Sequence, residues 1–145
     1  MAVPYLACMA LVAKLYGLPP RVLPSIQTVE GGAPGVVSRN ANGSEDLGVM
    51  QVNTLWIGPL SRYTGLDPAT IRERLIIRPC FNIAAAGAIF RYYLDQDGGD
   101  LMRAVGDYHS HTPLLHNAYA AKVLGAATRL FVRSASPIRP APRAS

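Results

Sequence analysis

Apolar residues recur every three or four positions through most of the chain, which is the spacing of helices with one buried face. Leu6, Met9 and Ala13 share such a face in the first segment. The pair Asp67-Pro68 favours a helix start, because Asp is an N-cap residue and proline suits the first helical position. The predicted helices run over about Val3–Tyr16, Leu23–Glu30, Leu55–Tyr63 with Thr54 as its N-cap, Pro68 onward, Phe81–Leu94, Leu101–Asp107 and Leu114–Val132.

Residues 31–48 interrupt this pattern with a run rich in glycine, asparagine and serine. So long a loop in a small domain is usually functional or mobile. Strand signals are few, and we expect at most a small hairpin within residues 36–53. Residues 108–113 are predicted to form a second loop. The pattern therefore predicts a mainly α fold, with α+β character confined to the loop or hairpin segment.

The length and composition fit a single globular domain. The chain has 145 residues, of which 50% are hydrophobic and 16% charged. After residue 134 the sequence is dominated by serine, alanine, proline and arginine. We therefore predict one domain over residues 1–133 and a flexible Pro/Ala/Arg-rich tail over residues 134–145.

The net charge of +5 favours anionic partners, but the basic residues are dispersed. No run of five occurs, so a nucleic-acid-binding patch is not predicted. No apolar stretch is long enough to predict a membrane span. The apolar run Met1–Ala13 lacks a basic start and a convincing cleavage site, so we interpret it as the first helix. No export signal is evident, and we expect one to have been removed from this chain.

Glu30 is the candidate for acid–base chemistry among nine acidic residues, because the other eight have polar or turn-like neighbours. It ends an apolar helix and opens into Gly31-Gly32. Partial burial and the helix C-terminus both disfavour a charged carboxylate and raise its pKa. A carboxyl group that keeps its proton near neutral pH can serve as a general acid. A surface glutamate at a helix end is the alternative interpretation.

Other reactive side chains give weaker signals. Cys8 and Cys80 could form one disulfide or remain buried thiols. His109, His111 and His116 have a spacing that matches no strong zinc pattern, so we expect loop hydrogen bonding and no metal or other cofactor. The aromatic residues in helical apolar runs are predicted to be core rather than a stacking platform; they are Trp56, Tyr92 and Tyr93.

A set of short motifs follows Glu30 along the chain. In order, these are Glu30-Gly31-Gly32, Asn40-Ala41-Asn42-Gly43-Ser44, Asp46-Leu47-Gly48-Val49-Met50-Gln51-Val52-Asn53, Trp56, Pro79-Cys80-Phe81-Asn82-Ile83, Gly87-Ala88, Tyr108-His109-Ser110 and Tyr119-Ala120-Ala121-Lys122-Val123. Together they resemble the soluble lytic transglycosylase family of the lysozyme-like superfamily, over about residues 8–132. The likeness is strongest to small single-domain members associated with secretion, pilus and conjugation machines. It implies a lysozyme-like fold whose loop or hairpin lines a glycan cleft.

The resemblance also implies roles for individual residues. Glu30 matches the catalytic glutamate, with Gly31 where serine is usual. Substrate-binding roles are implied for a further set: Gly31, Gly48, Val49, Met50, Gln51, Tyr108, His109 and Tyr119. His109 stands where the family has asparagine, and Cys8 and Cys80 match a disulfide pair of small members. Such a bond indicates the periplasm or the outside of the cell.

The implied reaction needs only one carboxyl group. Glu30 would cleave the bond between N-acetylmuramic acid and N-acetylglucosamine and leave a 1,6-anhydro ring, without metal or cofactor. Glu45 and Asp46 are weaker candidates for a second carboxylate, which hydrolysis would need. The implied partners are peptidoglycan glycan strands and components of a secretion, pilus or conjugation machine. A lysozyme-type hydrolase and a non-catalytic glycan-binding protein are the alternatives.

Overall fold

In the computed structural model of the chain, residues 3–109 and 113–131 are described. They form seven α-helices and one small sheet, which confirms the prediction of a mainly α fold. The elements in chain order are α1 (Leu6–Tyr16), α2 (Val22–Glu30), β1 (Val37–Arg39), β2 (Glu45–Leu47), β3 (Val52–Asn53), a 3₁₀ turn (Thr54–Trp56), α3 (Ile57–Thr64), α4 (Pro68–Ile77), α5 (Pro79–Gln96), α6 (Leu101–His109) and α7 (Pro113–Phe131). The predicted tail and His111 lie outside the described residues.

Local capping chemistry explains several helix ends. The Asp67 carboxylate accepts a hydrogen bond from the Thr70 N–H at 3.1 Å and begins α4 as predicted. Asp100 caps α6 in the same way, since its carboxylate accepts from the N–H of Arg103 at 3.1 Å. At the end of α2, Gly31 takes the left-handed conformation that a C-terminal cap requires. These ends were readable from the sequence because the chemistry that sets them is local.

Other boundaries differ from the prediction. The structure begins α1 at Leu6 rather than Val3, because Tyr5 is left-handed with φ of 60°. Helix α5 starts earlier than predicted, at Pro79. The prediction that Tyr108 and His109 lie in a loop was wrong, because α6 continues through His109. Asn53 rather than Thr54 caps the turn before α3 by accepting the Leu55 N–H at 2.9 Å.

Residues 36–53 were expected to form at most a small hairpin. The structure has a three-stranded antiparallel sheet there, in the order β1-β2-β3. Val37 pairs with Leu47 across the first two strands, and Asp46 pairs with Asn53 across the second two. Leu47 faces the core and is completely buried. The sheet therefore holds Asp46 beside Asn53 at one edge of the helical body.

Helix α5 runs through the core and packs against α1, α4 and α6, while α2 packs against α7. Phe90 of α5 and Leu23 and Ile26 of α2 are completely buried. The Cys8–Cys80 disulfide joins α1 to the first turn of α5 across Cα atoms 5.5 Å apart, which confirms the pairing that the resemblance implied. No helix among the described residues is both long and apolar enough to cross a membrane.

Candidate active site

Glu30 is the last residue of α2 and lies at the edge of the core. The N–H of Gly31 closes the helix by donating to the Gln27 carbonyl at 2.7 Å, and the backbone then turns away through a φ of +66°. This cap leaves the Glu30 side chain on the wall of an open cavity, partly buried by its neighbours. The sequence prediction of a carboxyl group at the boundary between core and loop agrees with this position.

The environment of Glu30 favours its protonated form. Burial raises the pKa of the carboxyl from 4.5 to about 7, and the negative charge of Asp46 acts in the same direction. A hydrogen bond from Tyr119 opposes them, because it stabilises the carboxylate. With a pKa of about 7, Glu30 can give up a proton and take one back near neutral pH.

Tyr119 of α7 holds Glu30 directly. Its hydroxyl donates to Glu30 Oε1 at 2.8 Å, and the residue is only 5% exposed. Burial raises the pKa of Tyr119 far above its usual value, so the phenol remains a donor. The His109 ring stacks on the Tyr119 ring, with centroids 4.5 Å apart and planes 8° from parallel. Burial lowers the pKa of His109, which favours a neutral ring beside the acid.

Tyr108 contributes a polar group without a partner. Its hydroxyl is buried and has no hydrogen bond among the described residues, although the side chain lines the same cavity as Glu30. Burial and the charge of Glu30 raise the pKa of Tyr108 well above its usual value, so the phenol is protonated. A buried hydroxyl without a partner is costly, so this group can accept a hydrogen bond from, or donate one to, a molecule that enters the cavity.

The sheet places one of the two alternative carboxylates at the cavity. Asp46 lines it and accepts hydrogen bonds from the side-chain amides of Asn40 at 3.1 Å and Asn53 at 3.0 Å. Glu45 is instead held by Arg72, with Arg72 Nη2 2.9 Å from Glu45 Oε1, and does not line the cavity. Asp46 is therefore the carboxylate that shares the cleft with Glu30.

The turn formed by Gly48, Val49, Met50 and Gln51 is held from behind by a buried asparagine. The Asn82 amide group donates to the carbonyls of Leu47 at 2.7 Å and Leu75 at 2.8 Å, and its oxygen accepts the Met50 N–H at 2.8 Å. The sequence predicts Asn82 near the start of the long helix but does not reveal this role. A lone amide between Phe81 and Ile83 was the signal available.

The residues of that turn divide between core and cleft. Val49 and Met50 are 0% exposed, so they cannot touch a ligand unless the turn opens. Gln51 lines the cavity, with a left-handed φ of 53° and its amide group donating to the Gly48 carbonyl at 3.0 Å. Of the four residues of this turn, Gln51 lines the cavity, whereas Gly48, Val49 and Met50 lie behind it.

Two glycines allow α2 to approach this turn closely. A Cβ on Gly32 would overlap the carbonyl oxygens of Gly48 and Val49, and a Cβ on Gly48 would overlap the Leu75 carbonyl and the Asn82 amide. Gly31 has open space around its Cα. Gly32 is therefore required for the close packing of protein backbone at the end of α2.

The cavity, which we call the acid cleft, has a volume of about 470 Å³. Trp56 and Tyr93 form part of its wall, although we predicted both to be core. They are only partly buried, and their rings meet edge to face with centroids 5.8 Å apart. The lining residues are Glu30, Asn40, Asn42, Ser44, Asp46, Gln51, Val52, Asn53, Leu55, Trp56, Ile89, Tyr93, Tyr108, His109 and Leu115. Amides, hydroxyls and aromatic rings dominate this set, which suits a polyhydroxylated ligand.

The histidines that the structure describes have separate environments. His116 lies on α7, where its Nε2 is 3.0 Å from the Arg103 carbonyl and 3.3 Å from Asp107 Oδ1. It packs against Gly106, where any Cβ would overlap the imidazole. Among residues 3–109 and 113–131, no three His, Cys, Asp or Glu side chains are grouped to hold a metal ion.

Fold and site together define a helical domain with a glutamate acid in a polar cleft. Comparison with known proteins assigns this domain to a family. The transglycosylase SLT domain family model matches residues 8–121. The chain belongs to this family, whose members are peptidoglycan-degrading proteins of the lytic transglycosylase type. They act on peptidoglycan outside the cytoplasm, and the disulfide fits that location. No curated protein matches the chain.

Proposed function

We propose that this protein is a lytic transglycosylase that cleaves the β-1,4 bond between N-acetylmuramic acid and N-acetylglucosamine, with Glu30 as its single general acid and base. The observation that carries the proposal is the buried Glu30 carboxyl, whose pKa is about 7 and which a phenol holds at one oxygen. Family membership supplies the class of substrate.

In the first step Glu30 donates its proton to the glycosidic oxygen, and the bond to the muramoyl C1 breaks. Tyr119 occupies Oε1, so Oε2 is the oxygen that carries the proton into the acid cleft. The 2-acetamido group of the muramoyl ring stabilises the positive charge that forms at C1. The departing N-acetylglucosamine hydroxyl keeps the proton it has received.

In the second step the ionised Glu30 takes a proton from the C6 hydroxyl of the same muramoyl ring, and O6 closes on C1. Tyr119 stabilises the carboxylate between the two steps, because its hydrogen bond favours the charged form. No water is consumed, and Glu30 ends protonated as it began. The unpartnered hydroxyl of Tyr108 and the amide of Gln51 are the groups we assign to substrate hydrogen bonds in the cleft.

The test is digestion of purified peptidoglycan by the wild type, by Glu30→Gln and by Glu73→Gln. Glu73 is an exposed glutamate of α4, so its variant controls for the loss of one carboxylate. We expect Glu30→Gln to lose at least about a hundredfold in rate, since general acid–base catalysis contributes that much or more. Equal rates of clearing by wild type and Glu30→Gln would refute the role of Glu30, and no clearing by wild type would leave a glycan-binding protein.

Hydrolysis is a second candidate function. It is favoured by the presence of a second carboxylate, Asp46, in the cavity that Glu30 lines. This carboxylate shares the acid cleft and is held in place by Asn40 and Asn53. A hydrolase would use it as nucleophile or base and add water to the product. Mass spectrometry decides between the two, because the hydrolysed product is heavier by one water than the 1,6-anhydro product.

We also propose that the protein works in the periplasm or outside the cell, as the disulfide and the substrate class suggest. Contact with a secretion, pilus or conjugation machine stays a prediction from the sequence resemblance.

A further inference from the structure

A second groove adjoins the acid cleft on the far side of Trp56. We call it the tyrosine groove, and its main walls are Tyr16, Trp56, Leu60, Tyr63 and Tyr92. Its volume is about 480 Å³, close to that of the acid cleft. The groove lies between α1, α3 and α5, away from Glu30. The proposed reaction at Glu30 makes no use of it.

The two cavities share a wall. Trp56 and Ile89 line both of them, so the tyrosine groove adjoins the acid cleft at these two residues. The aromatic cluster continues across this boundary, because Trp56 meets Tyr93 on the cleft side and Tyr92 on the groove side, each with ring centroids 5.8 Å apart. A long ligand leaving the cleft past Trp56 would therefore meet the groove directly.

The chemistry of the groove matches a sugar chain. Tyr63 is 71% exposed and Tyr92 is 48% exposed, so apolar ring surface faces solvent. Hydroxyls accompany these rings, and that of Tyr92 accepts a hydrogen bond from the Gln96 side-chain amide at 3.0 Å. A pyranose ring likewise has apolar C–H faces and hydroxyl edges. Arg91 and Asp95 at the rim form an ion pair with each other, which leaves little net charge for an anionic ligand.

We infer that the tyrosine groove binds further sugar residues of the same glycan strand that the acid cleft cleaves. The inference rests on the proposed function for the identity of the strand. A polymer continues beyond the bond being cut, and this groove is the aromatic surface that adjoins the cleft at Trp56. The groove therefore makes binding depend on strand length, favouring long glycans over short ones.

Binding of β-1,4-linked N-acetylglucosamine oligomers, from disaccharide to octasaccharide, tests this inference. Calorimetry with the Glu30→Gln protein measures affinity without cleavage. We expect Tyr63→Ala and Tyr92→Ala, each made in that background, to weaken binding of the longest oligomers roughly tenfold, as for truncation of one aromatic ring at a binding surface. Trisaccharide affinity should change little. Tyr63→Phe, which keeps the ring, should behave like its parent.

Leu124→Ala serves as the control, because Leu124 is an apolar residue of α7 that is 56% exposed and lines neither cavity. Thermal melting of each variant establishes that it is folded. Equal affinity of Tyr63→Ala, Tyr92→Ala and parent for the octasaccharide would overturn the inference, and it would indicate that the groove serves another partner. A different result is that wild type releases nothing from peptidoglycan while oligomer binding still depends on the tyrosines as described. That result would refute the proposed function and support the inference that the groove binds sugar residues.

Discussion

The raised pKa of Glu30 makes the stability of this protein depend on pH in a way that one substitution can isolate. Below about pH 4.5 the carboxyl is protonated in both the folded and the unfolded chain, so its ionisation does not lower the free energy of unfolding. Above about pH 7 it is ionised in both states, and the folded chain bears the cost of a partly buried charge. The interval from 4.5 to about 7 corresponds to about 3 kcal/mol, at about 1.4 kcal/mol for each pKa unit.

Glu30→Gln removes the titration but keeps an oxygen that can accept the Tyr119 hydroxyl. We expect the variant to match wild type near pH 4 and to exceed its free energy of unfolding by up to about 3 kcal/mol near pH 8. Urea unfolding across this range measures the difference. Glu73→Gln, which replaces an exposed glutamate of α4, is the control for the loss of one carboxylate. A difference between Glu30→Gln and wild type that stays constant from about pH 4 to pH 8 would refute the reasoning.

Three further perturbations follow from contacts in the structure. Asp46→Asn should lower the pKa of Glu30, because the Asp46 charge raises it. The alkaline limb of the rate–pH profile should therefore move to lower pH. An unchanged profile would contradict this prediction, and complete loss of activity would favour hydrolysis. Asn82→Ala removes three buried hydrogen bonds. The free energy of unfolding, measured in urea, should fall by at least about 3 kcal/mol. A loss under about 1 kcal/mol would show that contacts other than those of Asn82 hold the turn. Replacing Cys8 and Cys80 together by serine opens a loop with a sequence separation of 72. The free energy of unfolding should fall by about 4 kcal/mol relative to oxidised wild type. Equal stability of the two proteins would contradict this prediction.

Local signals in the sequence predicted much of the fold. Asp67 before Pro68 set a helix start, and Gly31 after Glu30 set a helix end, because caps act over a few residues. Tyr108 was wrongly assigned to a loop because it begins the polar run that ends at Pro113. Packing of α6 on α5 and α7 carries the helix through His109.

The site could be predicted only in part, since its members come from distant segments. Glu30 was identified from its own surroundings, whereas its bond to Tyr119 spans 89 residues and was not predicted, since the family resemblance implied only a substrate-binding role for Tyr119. The support that Asn82 gives to the Gly48–Gln51 turn depends on the sheet lying against α4 and α5, which no local pattern reveals. Trp56 and Tyr93 have helical, apolar neighbours that predict core. Their place on the cleft wall is set by how the sheet meets the helices.

The hydrogen bond between Glu30 and Tyr119 also bears on when the protein becomes active. A chain that emerges during synthesis or export presents Glu30 early and Tyr119 much later. Until α7 docks on α2, the Glu30 carboxyl lacks its hydrogen-bond partner Tyr119. The acid site is therefore complete only when segments 89 residues apart have come together, so a chain that lacks α7 lacks the site that we propose as catalytic.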